Sequence, residues 1–247
     1  MTDITATKRP RPGRRFEPVA ERDLESSALL AVQALPGARA GLMLIQEVAG
    51  PFGVADFVAV VGSNDRLRER VALGVPPLLN EIDAGIVAAA SPKRGRNVAS
   101  IAERLGWPLS TVERRLPALL KSGAVRELRP GRFVRPEPLV PIGRLYAVET
   151  KIRDWRRALK QARTYRLWCD NYVIVMPALS TSSLVEAHAA VDEDDGGLFV
   201  AERWLRRPRL RRSDPARRLW GSEYIVAAVQ GSALPALGGG EAAQPRQ

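Results

Sequence analysis

Asp56, Glu149 and Lys151 are the residues whose types and spacing best support chemistry. Glu149 and Lys151 flank Thr150 at the end of an apolar run, 144–150 (RLYAVET). Side chains alternate along a strand, so these two point to the same face. Asp56 lies two residues into a second strand-like run, 54–61 (VADFVAVV), just after the Gly50-Pro51 turn. Two carboxylates on neighbouring strands can hold one Mg²⁺ or Mn²⁺, hard cations that prefer oxygen ligands. A lysine beside that metal can orient or deprotonate an attacking water and neutralise developing phosphorane charge. These are the parts of metal-assisted phosphodiester hydrolysis. A lone Glu-x-Lys says little in a chain that is 26% charged, so the surrounding elements must carry the assignment.

Those elements read as follows. Residues 20–35 have helical spacing and stop at Pro36-Gly37. Residues 42–48 and 54–61 form two strands around a turn. After 78 the pattern changes to three short helices, at about 80–90, 97–105 and 110–122, and a small hairpin across Arg129-Pro130-Gly131-Arg132. Helix, helix, turn, helix and hairpin is the outline of a winged helix. Pro117 falls inside the third helix and is expected to kink it. The strand pattern then resumes. It runs through 144–150, an amphipathic helix at 152–168, a strand at 172–176, a helix at 182–190, a strand at 197–201 and a last helix at 220–230. The expected organisation is a basic disordered arm at 1–18, a core at 19–77, the winged helix at 78–136, the rest of the core at 137–232 and a flexible tail at 233–247. The fold is thus an α/β unit interrupted by a winged helix.

Composition narrows the function. The chain has 247 residues and a formal net charge of +11. Such a balance favours a polyanion partner, nucleic acid before an anionic membrane. One cysteine, Cys169, excludes an internal disulfide and any cysteine-based zinc cluster. One histidine, His188, excludes multi-histidine metal sites and argues against a Ser-His-Asp hydrolase. Neither a membrane span nor a secretory signal is visible, so a cytosolic protein is expected.

VADFVAV, LYAVETKIRDWRRALKQARTY and YVIVMP together resemble the PD-(D/E)xK nuclease superfamily. The resemblance implies a restriction-endonuclease-like mixed sheet flanked by helices, and it covers roughly 40–62 and 144–177. It implies that Asp56 and Glu149 ligate the metal, with the Thr150 backbone carbonyl as a third ligand and Lys151 assisting the water. Many members add a Gln in the next helix and a Tyr four residues later, positions that Gln161 and Tyr165 match. Many also carry an acid on the first helix, where Glu25 is the candidate and Glu21 the rival. The family usually has its Asp and Glu-x-Lys close in sequence, whereas here they are far apart. An inserted winged helix accounts for that gap.

DNA contacts are expected from Thr111, Arg114, Arg115 and Lys121 on the third helix and from Arg129 and Arg132 on the hairpin. Arg156 and Arg157 lie on the 152–168 helix, where six basic residues face one acid, Asp154. A phosphate backbone would relieve that repulsion. Eight arginines at 203–218 carry the same expectation, while Trp204, Trp220, Cys169 and His188 read as structural. Taken singly, Asp56 reads as a solvated turn-side acid, and Glu149 with Lys151 as a surface pair. Taken together they read as the site of a Mg²⁺-dependent DNA endonuclease. A non-catalytic DNA-binding transcriptional regulator on the same fold is the alternative. A nuclease of RNA has no aromatic-rich sheet motif behind it. DNA is the expected partner, no membrane is, and a homodimer stays open.

Overall fold

The structure is a computed structural model describing residues 21–62, 64–210 and 214–233. The basic arm at 1–18 and nearly all of the tail expected at 233–247 lie outside the described residues. The fold is mixed α/β, a six-stranded sheet flanked by helices, in the order β1-β2-β5-β6-β7-β8. β1 (Leu42–Gly50) and β2 (Gly53–Val61) form a hairpin whose turn holds only Pro51 and Phe52. β5 (Arg144–Thr150) pairs antiparallel with β2. β6 (Asn171–Met176) and β7 (Gly197–Val200) continue parallel to β5. β8 (Arg203–Arg206) closes the far edge antiparallel.

Parallel neighbours need a crossover. α6 (Trp155–Tyr165) links β5 to β6, and α7 (Thr181–Glu193) links β6 to β7. Strands covered on both faces must be apolar throughout. β6 is buried at every position, and β5 at all but Arg144. α1 (Glu25–Gln33) covers one face, where Ala28, Ala31 and Val32 meet Phe57, Ala59, Tyr146 and Val148. The opposite face carries α6 and α7, together with α8 (Pro215–Ala233) over its β1–β2 end.

Between β2 and β5 the chain leaves the sheet. α3 (Glu81–Ala89), α4 (Val98–Leu105) and α5 (Leu109–Ser122) are followed by the hairpin β3 (Arg126–Arg129) and β4 (Arg132–Val134). Arg96 also bridges to Phe133, which ties the α3–α4 loop to that hairpin. Asn80 and Asn97 cap α3 and α4, their side chains accepting from backbone N–H groups of the first turn. α5 continues through Pro117 to Ser122. This helical segment does not keep its core to itself. Leu219 and Trp220 of α8 pack among Ile86, Ile101, Val112 and Leu116.

Three elements differ from expectation. The strand β8 was not expected, because it lies in the arginine run at 203–218. α2 (Asp65–Ala72) had no apolar signature, because part of its buried face is an arginine. Arg70 is fully buried and bidentate to Glu223 of α8, at 2.8 and 2.6 Å. α8 also starts earlier than the expected 220, because the basic run hid its first turn. Asp214 accepts from the N–H groups of Ala216 and Arg217, and Pro215 stands in the first turn. No helix among the described residues is long and apolar enough to cross a membrane.

Candidate active site

The β2–β5 register pairs Phe57 with Val148. One step further along both strands brings Asp56 opposite Glu149, although the insertion separates them in sequence. Asp56 Oδ2 accepts from the Thr150 backbone N–H at 2.7 Å and from the Thr150 hydroxyl at 2.8 Å. Lys151 Nζ lies 3.0 Å from Glu149 Oε1, an ion pair, and 3.9 Å from Asp56 Oδ2. It also donates to the Thr150 carbonyl at 3.0 Å. The Lys151 backbone N–H donates to Val175 on β6, which fixes the end of the strand.

Glu149 is fully buried and Lys151 nearly so, whereas Asp56 is partly open. Burial pushes the Glu149 carboxyl up to about 7, and the neighbouring Asp56 charge adds to the rise. Lys151 and Tyr165 offset part of it. The Tyr165 hydroxyl sits 2.7 Å from the Val54 carbonyl and 3.1 Å from Glu149 Oε2. One hydroxyl proton cannot serve both acceptors at once. The Tyr165 hydroxyl therefore divides its donation between the Val54 carbonyl and the Glu149 carboxylate. Burial and the Glu149 charge in turn hold the Tyr165 phenol well above its usual range.

Two carboxylates stand against one ammonium here, with Asp56 on the open side. The donors at hand are carboxylate oxygens and a peptide carbonyl, a set suited to a hard divalent cation. No group of three or more His, Cys, Asp or Glu among the described residues could hold a metal. The oxygen donors within reach of an ion here are Asp56, Glu149 and the Thr150 carbonyl, and water would have to complete its shell.

Gln161 stands one turn before Tyr165 on α6, and its Oε1 is buried with no hydrogen-bond partner. Glu25 receives a hydrogen bond from Gln46 of β1 at 2.6 Å. That contact is on the α1 side of the sheet, while Glu149 meets Tyr165 on the α6 side. The Glu21 side chain lies outside those described. Glu47, across from Asp56 on β1, has a φ of 49° and falls in a gap of the β1–β2 ladder. Left-handed backbone in a residue other than Gly, Asn or Asp costs on the order of 1 kcal/mol. No turn residue announced this kink in the sequence.

Of the residues expected at DNA, Arg114, Lys121, Arg129 and Arg157 are exposed, and Thr111 and Arg132 are half-buried. Arg115 is bidentate to Asp83 of α3, at 2.8 and 2.5 Å. Arg156 pairs with Glu186 of α7 and lies over the Trp155 ring. The arginine run at 203–218 is partly structural. Arg206 is bound to Asp192 and Asp195, and Arg218 to Asp170. Arg211 and Arg212 lie outside the described residues. The sequence reading missed Lys93 and Arg94, exposed in the loop before α4. Gly95 there leaves no room for a Cβ, which would meet Arg132 Cβ at 2.9 Å, so this basic loop lies along the hairpin.

No protein-family model and no curated protein matches the chain. Among solved structures, a protein of unknown function from Silicibacter pomeroyi is similar at 19% identity and a TM-score of 0.26. The match covers 49% of this chain and 86% of that one. A likeness at that level carries no argument about fold or function.

Proposed function

We propose that the chain is a metal-dependent DNA endonuclease of the PD-(D/E)xK type. The observation that supports it is a fully buried Glu149 placed beside Asp56 and Lys151 across two strands. Burying a carboxylate next to another carboxylate is costly without a compensating cation. Asp56, Glu149 and the Thr150 carbonyl would hold Mg²⁺ or Mn²⁺, which when bound supplies a Lewis acid and a water of lowered pKa. Lys151 orients the attacking water and takes up charge at the phosphate. Gln161, with an uncommitted side-chain oxygen, helps place that water. Tyr165 holds Glu149 in register. The segment 78–136 acts as a winged helix, with α5 in the major groove and the β3–β4 hairpin on the backbone.

One observation favours a second reading, a non-catalytic DNA-binding regulator. Lys151 already stands between the two carboxylates and neutralises one of them. Supercoiled plasmid incubated with the purified chain separates the two. Nicked or linear product with Mg²⁺ or Mn²⁺, and none with EDTA, is the expected result. Retarded but uncut DNA under every divalent metal hands the function to the regulator. A chain that neither binds nor cuts DNA sinks both readings.

A further inference from the structure

The tip of the β1–β2 hairpin carries a cluster that the proposed chemistry does not use. Phe52, Val54 and Leu79 are all large, apolar and exposed, at 44%, 55% and 45%. Phe52 and Val54 lie within four residues of Asp56 on the same hairpin. Leu79 opens the helical segment, and its carbonyl accepts from the Trp220 indole N–H at 2.8 Å. Phe52 and that Trp220 ring form a T-shaped pair with centroids 5.7 Å apart, and Phe52 still exposes nearly half of its surface to solvent. The tip thus touches Trp220 of α8, which packs in the core of the helical segment, at one end. At the other, its Val54 carbonyl is bound by the Tyr165 hydroxyl that also contacts Glu149.

The tip is also held firmly. The kink at Glu47 changes the phase of the strand. Leu42 and Leu44 pack on the α1 side, Met43 and Ile45 on the α6 side, and after the kink Val48 and Ala55 join the α6-side core. The hairpin end is thereby turned onto Trp168. Gly50 lies so close that a Cβ would meet that ring at 2.4 Å. Pro51 fixes the next φ. A rigid, wholly apolar tip with an exposed aromatic ring, beside two carboxylates on a basic protein, suits one surface of DNA above others. That surface is the face of a nucleobase, because the backbone offers only charge.

We infer that Phe52 and Val54 form an apolar wedge that stacks on a nucleobase exposed beside the scissile phosphate. The preferred substrate is then DNA with an unpaired or unstacked base at that point, such as a splayed end or a mismatch, over continuous duplex. This rests on the endonuclease reading above and adds the substrate to it. The spacing is specific. Val54 is two residues from Asp56, about 7 Å along a strand. DNA rises about 3.4 Å per nucleotide on each strand. The stacked base therefore lies roughly two nucleotides from the phosphate that is cut.

The test uses the full chain and three labelled oligonucleotides of one sequence. One is fully paired, one has a splayed end, and one has a single mismatch. 2-Aminopurine replaces the base roughly two nucleotides from the expected cut. Binding is read with EDTA present, and cleavage with Mg²⁺. The wild type should quench 2-aminopurine in the splayed and mismatched forms and cleave them about tenfold faster than the paired form, the scale of one base stacked on an aromatic ring. Phe52→Ala should bring that ratio close to one and abolish quenching. Phe52→Trp should keep both. Val54→Ser, a smaller change, should lower the ratio by a lesser factor, and circular dichroism should show each variant folded. Equal cleavage of all three DNAs by the wild type, or an unchanged ratio in Phe52→Ala, overturns the wedge and leaves the nuclease standing. Absence of DNA binding overturns both. Binding without cleavage, but with quenching lost in Phe52→Ala, removes the nuclease and retains the stacking contact. Self-association lost on Phe52→Ala, with DNA stacking absent, assigns the tip to a second copy of the chain and overturns the wedge.

Discussion

The carboxylate site and the helical segment with its hairpin treat charge in opposite ways. At the site, Glu149 and Lys151 are buried, Asp56 is partly so, and each is tied to a named partner. On α5 and the hairpin, Arg114, Lys121 and Arg129 stand in solvent. Buried charges interact strongly but must be matched, because desolvation penalises any that is left alone. Exposed charges interact weakly, and neighbours can replace them. A site built the first way sets chemistry and geometry, and a surface built the second way sets affinity. The two properties should therefore respond to different substitutions.

The largest effect expected is at the carboxylates. Asp56→Ala removes one candidate metal ligand and the partner of Thr150. Cleavage should fall on the order of 10³-fold or more, the scale of losing a transition-state contact, while DNA affinity holds. Lys151→Ala should do likewise without abolishing metal binding. Gel cleavage, metal titration and DNA binding are measured side by side. If Asp56→Ala cuts as fast as the wild type, with contaminating nuclease excluded, the contrast between the two regions collapses.

A smaller effect concerns stability. The Glu149 carboxyl rises from an ordinary value of 4.5 to about 7 on folding. The folded chain therefore holds the Glu149 proton more tightly than the unfolded chain does. That contribution is fully present below about pH 4.5 and is lost as pH rises through about 7. Glu149→Gln keeps the shape without the charge. In EDTA at pH 8 it should be more stable than the wild type by roughly 1–3 kcal/mol, even as it loses cleavage. The gain should vanish near pH 4. Thermal melts across pH check this, and a variant less stable at pH 8 would show that the ion pair with Lys151 outweighs the burial of charge.

The smallest effect separates two adjacent arginines. Arg114 is exposed, and Arg115 is held by Asp83. Arg114→Glu should flatten the slope of log affinity against log salt by about one phosphate contact, with the melting temperature unchanged. Arg115→Glu places like charges together and should lower the melting temperature instead. Equal salt slopes in both variants would mean that α5 does not track the phosphates.

The sequence made the site legible where strand period and burial agree. RLYAVET is apolar up to Glu149, so its alternation announces which face the Glu and Lys share. The partnership with Asp56 needed the further step of reading 78–136 as an interruption, and the β2–β5 ladder places the two acids side by side. α2 was illegible because Arg70 takes a core position through Glu223, a partner far along the chain. Within the run at 203–218, charge alone could not tell the exposed arginines from Arg206 and Arg218, each matched by a distant aspartate. The kink at Glu47 left no sign, since no glycine, asparagine or aspartate stands at that position.

α8 runs through both halves of the molecule, with Leu219 and Trp220 in the core of the helical segment and Ile225 and Val226 in the core beneath the sheet. At about 1.5 Å per residue, the two sets of anchors are roughly 9 Å apart on one stiff rod. Arg70 grips the same rod at Glu223, between them. The geometry is that of a caliper with its jaws pinned. In the proposed nuclease, the distance between where DNA is held and where it is cut is set by the length of a helix and not by the reach of a tether. Such an instrument measures out one fixed offset along its substrate, and a frayed pin would show first as a blurred ruler.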